Sequence, residues 1–324
     1  MKVVLVFGTR PEIIKLHPVY RELKGRNHET KVIYTKQNYT KELSEDIFSE
    51  FKYDNRDFLD NRDFDANYVL VQGDTWSTLE GALIAGDNEV RLGHVEAGIR
   101  SYDHRMIEEK IRTLVDKYSS FHFAPTEQAV KNIEEEIGVI PFLVGNTIAD
   151  IMGGEKKGDP EFITVTLHRP ETVDDKETLV QTLMGVDLVR SYYDLPLKFF
   201  VHPRTTSKMK EFGVEFEMPV MPPVKRSRFM DILKRSRLVI TDSGGVQEEA
   251  AILKVPCVTA RISTERLETV NSGLNIIAGN TVRGIFDSAK KIVASVERDD
   301  YIDRPLYGDG NASSLIVDIL EEYL

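Results

Sequence analysis

Leu238-Val239-Ile240-Thr241-Asp242-Ser243-Gly244-Gly245-Val246-Gln247-Glu248-Glu249-Ala250-Ala251 reads as a buried apolar strand, a sharp Ser-Gly-Gly turn and a helix beginning near Val246. At such a junction the first-turn amides have no partner inside the helix, and with the helix dipole they favour an anion above the strand end. Gly244 and Gly245 let a bulky group approach the backbone where a Cβ would stand in the way. Glu248 and Glu249 fall just inside the helix, where a carboxylate can accept hydrogen bonds from hydroxyls beside that anion. A phosphate carrying a ribose fits the pattern. A glycine-rich turn whose acids only complement the helix dipole fits it too.

Around this stretch the chain alternates strand and helix. Lys2–Phe7, Lys31–Thr35, Tyr68–Gln72 and Val90–Val95 are strand-like runs, separated by amphipathic segments such as Lys41–Phe51 and Thr78–Ala85. The pattern restarts at Phe162–Leu167, after a Gly- and Lys-rich stretch, Gly153-Gly154-Glu155-Lys156-Lys157-Gly158. This is the signature of parallel α/β units, and 324 residues suffice for two of them. The ending Thr9-Arg10-Pro11-Glu12 is echoed by His168-Arg169-Pro170-Glu171. Ligands of open α/β sheets collect beyond the carboxyl ends of strands. Arg10, Asp74 and Glu96 all stand at such ends and are candidate site residues.

The charge balance narrows the partners. There are 53 acids against 42 bases, a net charge of −11, so no dominant basic field exists to gather a nucleic-acid backbone. A small phosphorylated ligand needs only a few local cations. The single cysteine, Cys257, reads as a buried thiol within Val255–Val258. No signal peptide, membrane span or metal-ligand spacing is visible, and a cytoplasmic protein is expected. His94 and His122 lie in apolar runs and read as core or supporting histidines, and Glu134–Glu136 as a solvated face.

Several motifs together resemble the UDP-N-acetylglucosamine 2-epimerases. In the first half they are Phe7-Gly8-Thr9-Arg10-Pro11-Glu12 with Lys15, Gly73-Asp74-Thr75, His94–Arg100, Glu108-Glu109 with Arg112, Phe123–Glu127 and Gly145-Asn146-Thr147. In the second half they are His168-Arg169, His202-Pro203, Asp242–Glu249, Thr264-Glu265-Arg266 and Tyr307–Gly310. They fall in the family's order across nearly the whole chain. The resemblance implies the α/β GT-B architecture, two Rossmann-like domains facing across a cleft with a C-terminal helix crossing back to the first. The expected division is residues 1–155, 156–310 and 311–324. It implies no cofactor and no metal, a UDP-sugar substrate, no nucleic-acid or membrane partner, and a homodimer.

The reaction implied is elimination of UDP to a 2-acetamidoglucal and re-addition on the other face. The carbon 2 hydrogen is not next to a carbonyl, so no enolate can stabilise its loss. Asp74, Glu96 and Glu109 are then the acid–base set, with His168 in the active cleft. Arg10, His202 and the Ser243-Gly244-Gly245 turn are the phosphate set, supported by Lys15. Glu249 is assigned to the ribose, with Arg112 and Arg266 also on the substrate. Alternatives are a hydrolysing 2-epimerase, a 2-epimerase of a UDP-diacetamido sugar, a GT-B glycosyltransferase, or a nucleotide-sugar binder without catalysis.

Three departures from the family pattern stand out. Pro170-Glu171-Thr172 replaces Arg-Glu-Asn, Leu267 replaces proline, and Thr35-Lys36-Gln37-Asn38 stands where bacterial members show Thr-Gly-Gln-His before a short 51–68 segment. The last predicts that activation by a second UDP-N-acetylglucosamine is weakened or absent.

Overall fold

The computed structural model describes residues 1–37, 47–48, 50–59, 61–153, 157–214 and 220–324. Most of the expected helix Lys41–Phe51, the residue Asn38 and the centre of the Gly- and Lys-rich stretch, with the 155/156 boundary, lie outside them. The chain divides into two compact units, Met1–Gly153 with Tyr307–Leu324, and Gly154–Leu306.

The first unit is built on six parallel strands, β1 (Lys2–Phe7), β2 (Glu29–Tyr34), β3 (Tyr68–Gln72), β4 (Arg91–Val95), β5 (Phe121–Ala124) and β6 (Phe142–Leu143), in the order β2-β1-β3-β4-β5-β6. Its central strands are apolar throughout because helices cover both faces. Val4, Val6, Val69 and Val71 pack into one core cluster with Ala82, Ile84, Ile111 and Val115 of the helices Trp76–Asp87 and Ile107–Tyr118. The chain order reverses between β1 and β3, which makes the carboxyl end of that pair the topological switch point.

The second unit repeats the plan with β7 (Phe162–Leu167), β8 (Leu197–Val201), β9 (Val220–Met221), β10 (Ser236–Thr241), β11 (Cys257–Thr259) and β12 (Asn275–Ile277), ordered β12-β11-β10-β7-β8-β9. Read from β9, this is the Rossmann order 3-2-1-4-5-6, and its switch point lies between β7 and β10. The echoed tetrapeptides now have a structural reason. Each follows the first strand of its unit, and Pro11 and Pro170 each occupy the first turn of a helix, Arg10–Gly25 and Pro170–Val173.

The last segment belongs to the first unit. Helix Ala312–Glu322 packs on helices Arg10–Gly25 and Thr147–Met152 through the buried Ile316, Val317 and Leu320. Arg26 bonds Asp318 at 2.6 Å and Glu321 at 2.8 Å, and the Tyr68 hydroxyl donates to the Leu320 carbonyl at 2.9 Å.

Most elements match the sequence reading within two or three residues. Helix Gly244–Ile252 starts two residues before Val246, because glycine is free to enter the first turn. Helix Pro203–Phe212 and the short strands β6, β9 and β12 were not expected, their apolar pattern being too brief. Cys257 is buried, and burial pushes its thiol up to about 12. Among the described residues no helix is long and apolar enough to cross a membrane.

Candidate active site

Three adjacent strands of the first sheet deliver its candidate residues. Arg10 opens the helix after β1, Asp74 follows β3, and Glu96 follows β4. Gly73 turns the chain out of β3 at φ +82°, and Glu96 itself sits at φ +68°, in the left-handed region that a side chain seldom adopts. Glu12 ties these turns together. One of its carboxylate oxygens accepts from the Gly8 and Thr9 amides at 2.9 and 2.7 Å and from the Ser77 hydroxyl at 2.9 Å. The other accepts from the Thr75 and Thr78 hydroxyls at 2.6 and 3.0 Å.

The carboxylates meet different surroundings. Glu96 is buried in an ion pair with Lys15, and its oxygens also accept from the side-chain amides of Asn146, at 2.7 Å, and Gln72. Asp74 pairs with Arg112. Glu109 lies 3.8 Å from the Arg112 Nε and accepts from the amides of Ser101 and Tyr102 at 2.9 and 3.0 Å and from the Ser101 hydroxyl at 2.8 Å. Side-chain exposure separates them: 25% for Asp74 against 3% for Glu96 and for Glu109. Asp74 is therefore the carboxylate most open to a ligand. Lys15 and the Glu109–Arg112 pair are not solvated surface groups.

The second sheet places its residues on either side of its own switch point. Asp242, after β10, accepts the amides of His168 and Arg169, after β7, at 2.8 Å each, and its second oxygen is 3.2 Å from His168 Nδ1. Burial would raise this carboxyl, but the neighbouring His168 and these amides hold it below the usual carboxylate range. His202 caps helix Pro203–Phe212, its Nδ1 accepting the Arg204 amide at 3.2 Å. Burial, and then the charges of His168 and Arg204, hold its ring below the ordinary histidine value. An accepting Nδ1 puts the proton on Nε2, so His202 is a neutral donor. The His168 and His202 rings are 5.7 Å apart.

The Ser243-Gly244-Gly245 turn begins helix Gly244–Ile252. A Cβ on Gly244 would come within 2.6 Å of the Glu265 carboxylate, whereas on Gly245 it would meet only open space. The buried acids around the turn are paired. Glu249 takes Arg226 at 3.0 Å, Glu248 takes Arg266 at 2.7 Å, and Glu265 takes Arg261 at 2.9 Å with Arg169 at 3.6 Å. Glu265 and Arg266 thus face other charges. Glu134, Glu135 and Glu136 of the expected solvated run are all exposed, and Glu136 also bonds Arg100 at 2.9 Å.

Gln72, Asn146 and Arg226 were not singled out from the sequence. Gln72 had a signal, a polar end to the apolar run Tyr68–Val71, and Asn146 lay inside a quoted motif. Arg226 had none, since only the fold brings it to Glu249.

The model of the family described as UDP-N-acetylglucosamine 2-epimerase matches residues 57–321. The UDP-N-acetylglucosamine 2-epimerase of Methanocaldococcus jannaschii is 37% identical, covering 92% of each chain. The UDP-2,3-diacetamido-2,3-dideoxy-D-glucuronate 2-epimerase of Pseudomonas aeruginosa is 33% identical, covering 99% of each. The crystal structure of the M. jannaschii UDP-GlcNAc 2-epimerase in complex with UDP-GlcNAc and UDP superposes with a TM-score of 0.86 at 34% identity, over 99% of this chain and 100% of that one. The fold is the α/β GT-B type, and the chain belongs to the UDP-N-acetylglucosamine 2-epimerase family.

Proposed function

We propose that this protein interconverts UDP-N-acetylglucosamine and UDP-N-acetylmannosamine. The observation that carries the reading is the division of chemistry between the two switch points. Carboxylates with Arg10 and Lys15 gather at the first, and an anion-favouring turn with two histidines gathers at the second. In this reading the first unit supplies acid–base carboxylates and the second holds UDP.

The chemistry divides accordingly. The C1–O bond breaks with its electron pair leaving on UDP, and the C2 proton passes to a carboxylate as the C1=C2 bond of the glycal forms. Re-addition reverses both steps, with protonation of C2 from the opposite face. Negative charge grows on the diphosphate and positive character on the ring, so donors are needed at one end and carboxylates at the other. A helix N-terminus contributes only ~0.3–2 kcal/mol to an anion, so the turn needs His168 and the Nε2–H of His202 beside it, and in this reading Arg10 is the first unit's cation for the diphosphate.

Asp74, the exposed carboxylate, exchanges the C2 hydrogen on one face, and Glu96 or Glu109 serves the other. Lys15 and Arg112 hold the carboxylates in place, Glu249 accepts from the ribose, and Arg266 borders the substrate. Product identity tests this reading. Incubation with UDP-N-acetylglucosamine should give UDP-N-acetylmannosamine by NMR. Free N-acetylmannosamine with UDP would mean the hydrolysing reaction, and no turnover without an acceptor would mean a transferase or a binder. The P. aeruginosa relative favours a second reading, a UDP-diacetamido-uronate as substrate, which the same assay with that sugar decides.

We also infer a homodimer. Trp76 and Leu83 on helix Trp76–Asp87, and Ile107, Leu114 and Tyr118 on helix Ile107–Tyr118, are large apolar residues exposed at helical spacing on two helices packed against each other. A second copy of the chain would cover that stripe.

A further inference from the structure

His94 takes no part in the steps above, yet it is fully buried and its ring is held at both ends. It is the fourth residue of β4, in register with Val71 of β3 and His122 of β5. Its Nε2 lies 2.8 Å from the Gly73 carbonyl oxygen and its Nδ1 lies 2.6 Å from Asp116 Oδ1. A carbonyl oxygen only accepts, so Nε2 donates.

Asp116 decides the other nitrogen. Its Oδ2 is 2.7 Å from the Arg100 guanidinium and accepts the Gly98 amide at 3.2 Å. Burial would raise this carboxyl, but His94 and Arg100 together hold it below the usual range. Paired with Arg100 and accepting the Gly98 amide, Asp116 is a carboxylate that only accepts, so Nδ1 donates as well. A ring donating from both nitrogens is an imidazolium.

The other polar neighbours agree. His122 donates from Nε2 to the Asp116 carbonyl at 2.7 Å, and burial keeps its ring below the ordinary histidine value. Glu136 takes the far side of Arg100 at 2.8 Å. His94 is thus the cation that, with Arg100, balances Asp116.

We propose that His94 is a positioning residue, an imidazolium balanced by Asp116, which grips the Gly73 carbonyl and thereby fixes the Gly73-Asp74 turn. Helix Ile107–Tyr118 then reaches Asp74 twice. Arg112 holds its carboxylate, and Asp116 acts through His94 on the residue before it. The effect on turnover rests on the 2-epimerase reading. The charge of the ring does not.

The test uses the full chain labelled with 15N-histidine at pH 8, without ligand. One histidine should show both ring nitrogens protonated, a signature that disappears in Asp116→Asn and in His94→Gln. A His94 ring with a single protonated nitrogen overturns the proposal. In folded His94→Gln, the kcat for deuterium incorporation at carbon 2 should fall roughly 10–100-fold with KM within about threefold, the cost of a slightly misplaced reacting group. Unchanged kcat overturns the positioning role. Wild-type protein that leaves UDP-N-acetylglucosamine untouched would remove the substrate reading, while the ring signals would still decide the proposal. If neither variant folds, a wild-type spectrum in which every histidine ring carries a single proton still overturns the proposal.

Discussion

Asp74 and Glu96 follow adjacent strand ends, and burial separates them. Glu96 is enclosed by Lys15, Gln72 and Asn146, whereas Asp74 keeps a quarter of its side chain in solvent. Asp74→Asn should lower hydrogen exchange at carbon 2 by ~10²–10⁴-fold, the usual worth of a positioned general base. UDP affinity by calorimetry should stay within about threefold. Full retained turnover removes Asp74 from the acid–base set. Asp74 and Glu96 were legible as types at strand ends, and Glu109 only through the family motif. Their differing burial was not, because it depends on Asn146 and Arg112, remote in sequence. A second residue-scale prediction concerns His17, packed against Phe51 and Tyr53 with ring centroids at 4.8 and 5.3 Å. Burial lowers its ring from 6.5 to about 4, with Arg21 adding to the effect. The unfolded chain therefore takes up this proton first, so stability is complete above about pH 6.5 and is lost as pH falls towards about 4. His122 and His202 act in the same direction. Thermal unfolding from pH 7 to 4.5 should show the decline, and His17→Phe should flatten it. An identical slope in that variant contradicts the assignment.

Among the elements, the C-terminal helix is the most dependent on distant contacts. Its apolar face meets two helices of the first unit, and Arg26 and Tyr68 hold its last two turns. Ile316 is completely buried, so Ile316→Ala should destabilise the protein by about 2–5 kcal/mol in chemical denaturation, and a loss under 1 kcal/mol would show that the helix is not firmly docked. The helix itself was legible from its amphipathic spacing. The central strands were as well, since continuous apolar runs such as Val3–Phe7 have no other use in a chain of this composition. The short edge strands and helix Pro203–Phe212 escaped, because two or three residues carry no period and His202 caps through a ring nitrogen that sequence rules do not anticipate.

For the molecule as a whole, assembly and reaction are the open quantities. If the stripe on helices Trp76–Asp87 and Ile107–Tyr118 is covered by a second copy, sedimentation should give a dimer, and Leu83→Asp with Leu114→Asp should give a folded monomer. A wild-type monomer, or an unchanged dimer in the double variant, contradicts it. The order of the two sheets, which puts a switch point behind each cluster, was legible only through the resemblance, which implied Rossmann-like domains. The decisive measurement is incubation with UDP-N-acetylglucosamine in heavy water, followed by NMR of the nucleotide sugars. Deuterium at carbon 2 of UDP-N-acetylmannosamine is the predicted result. A UDP-linked mannosamine that retains its original hydrogen at carbon 2, or no epimer at all, would contradict the account.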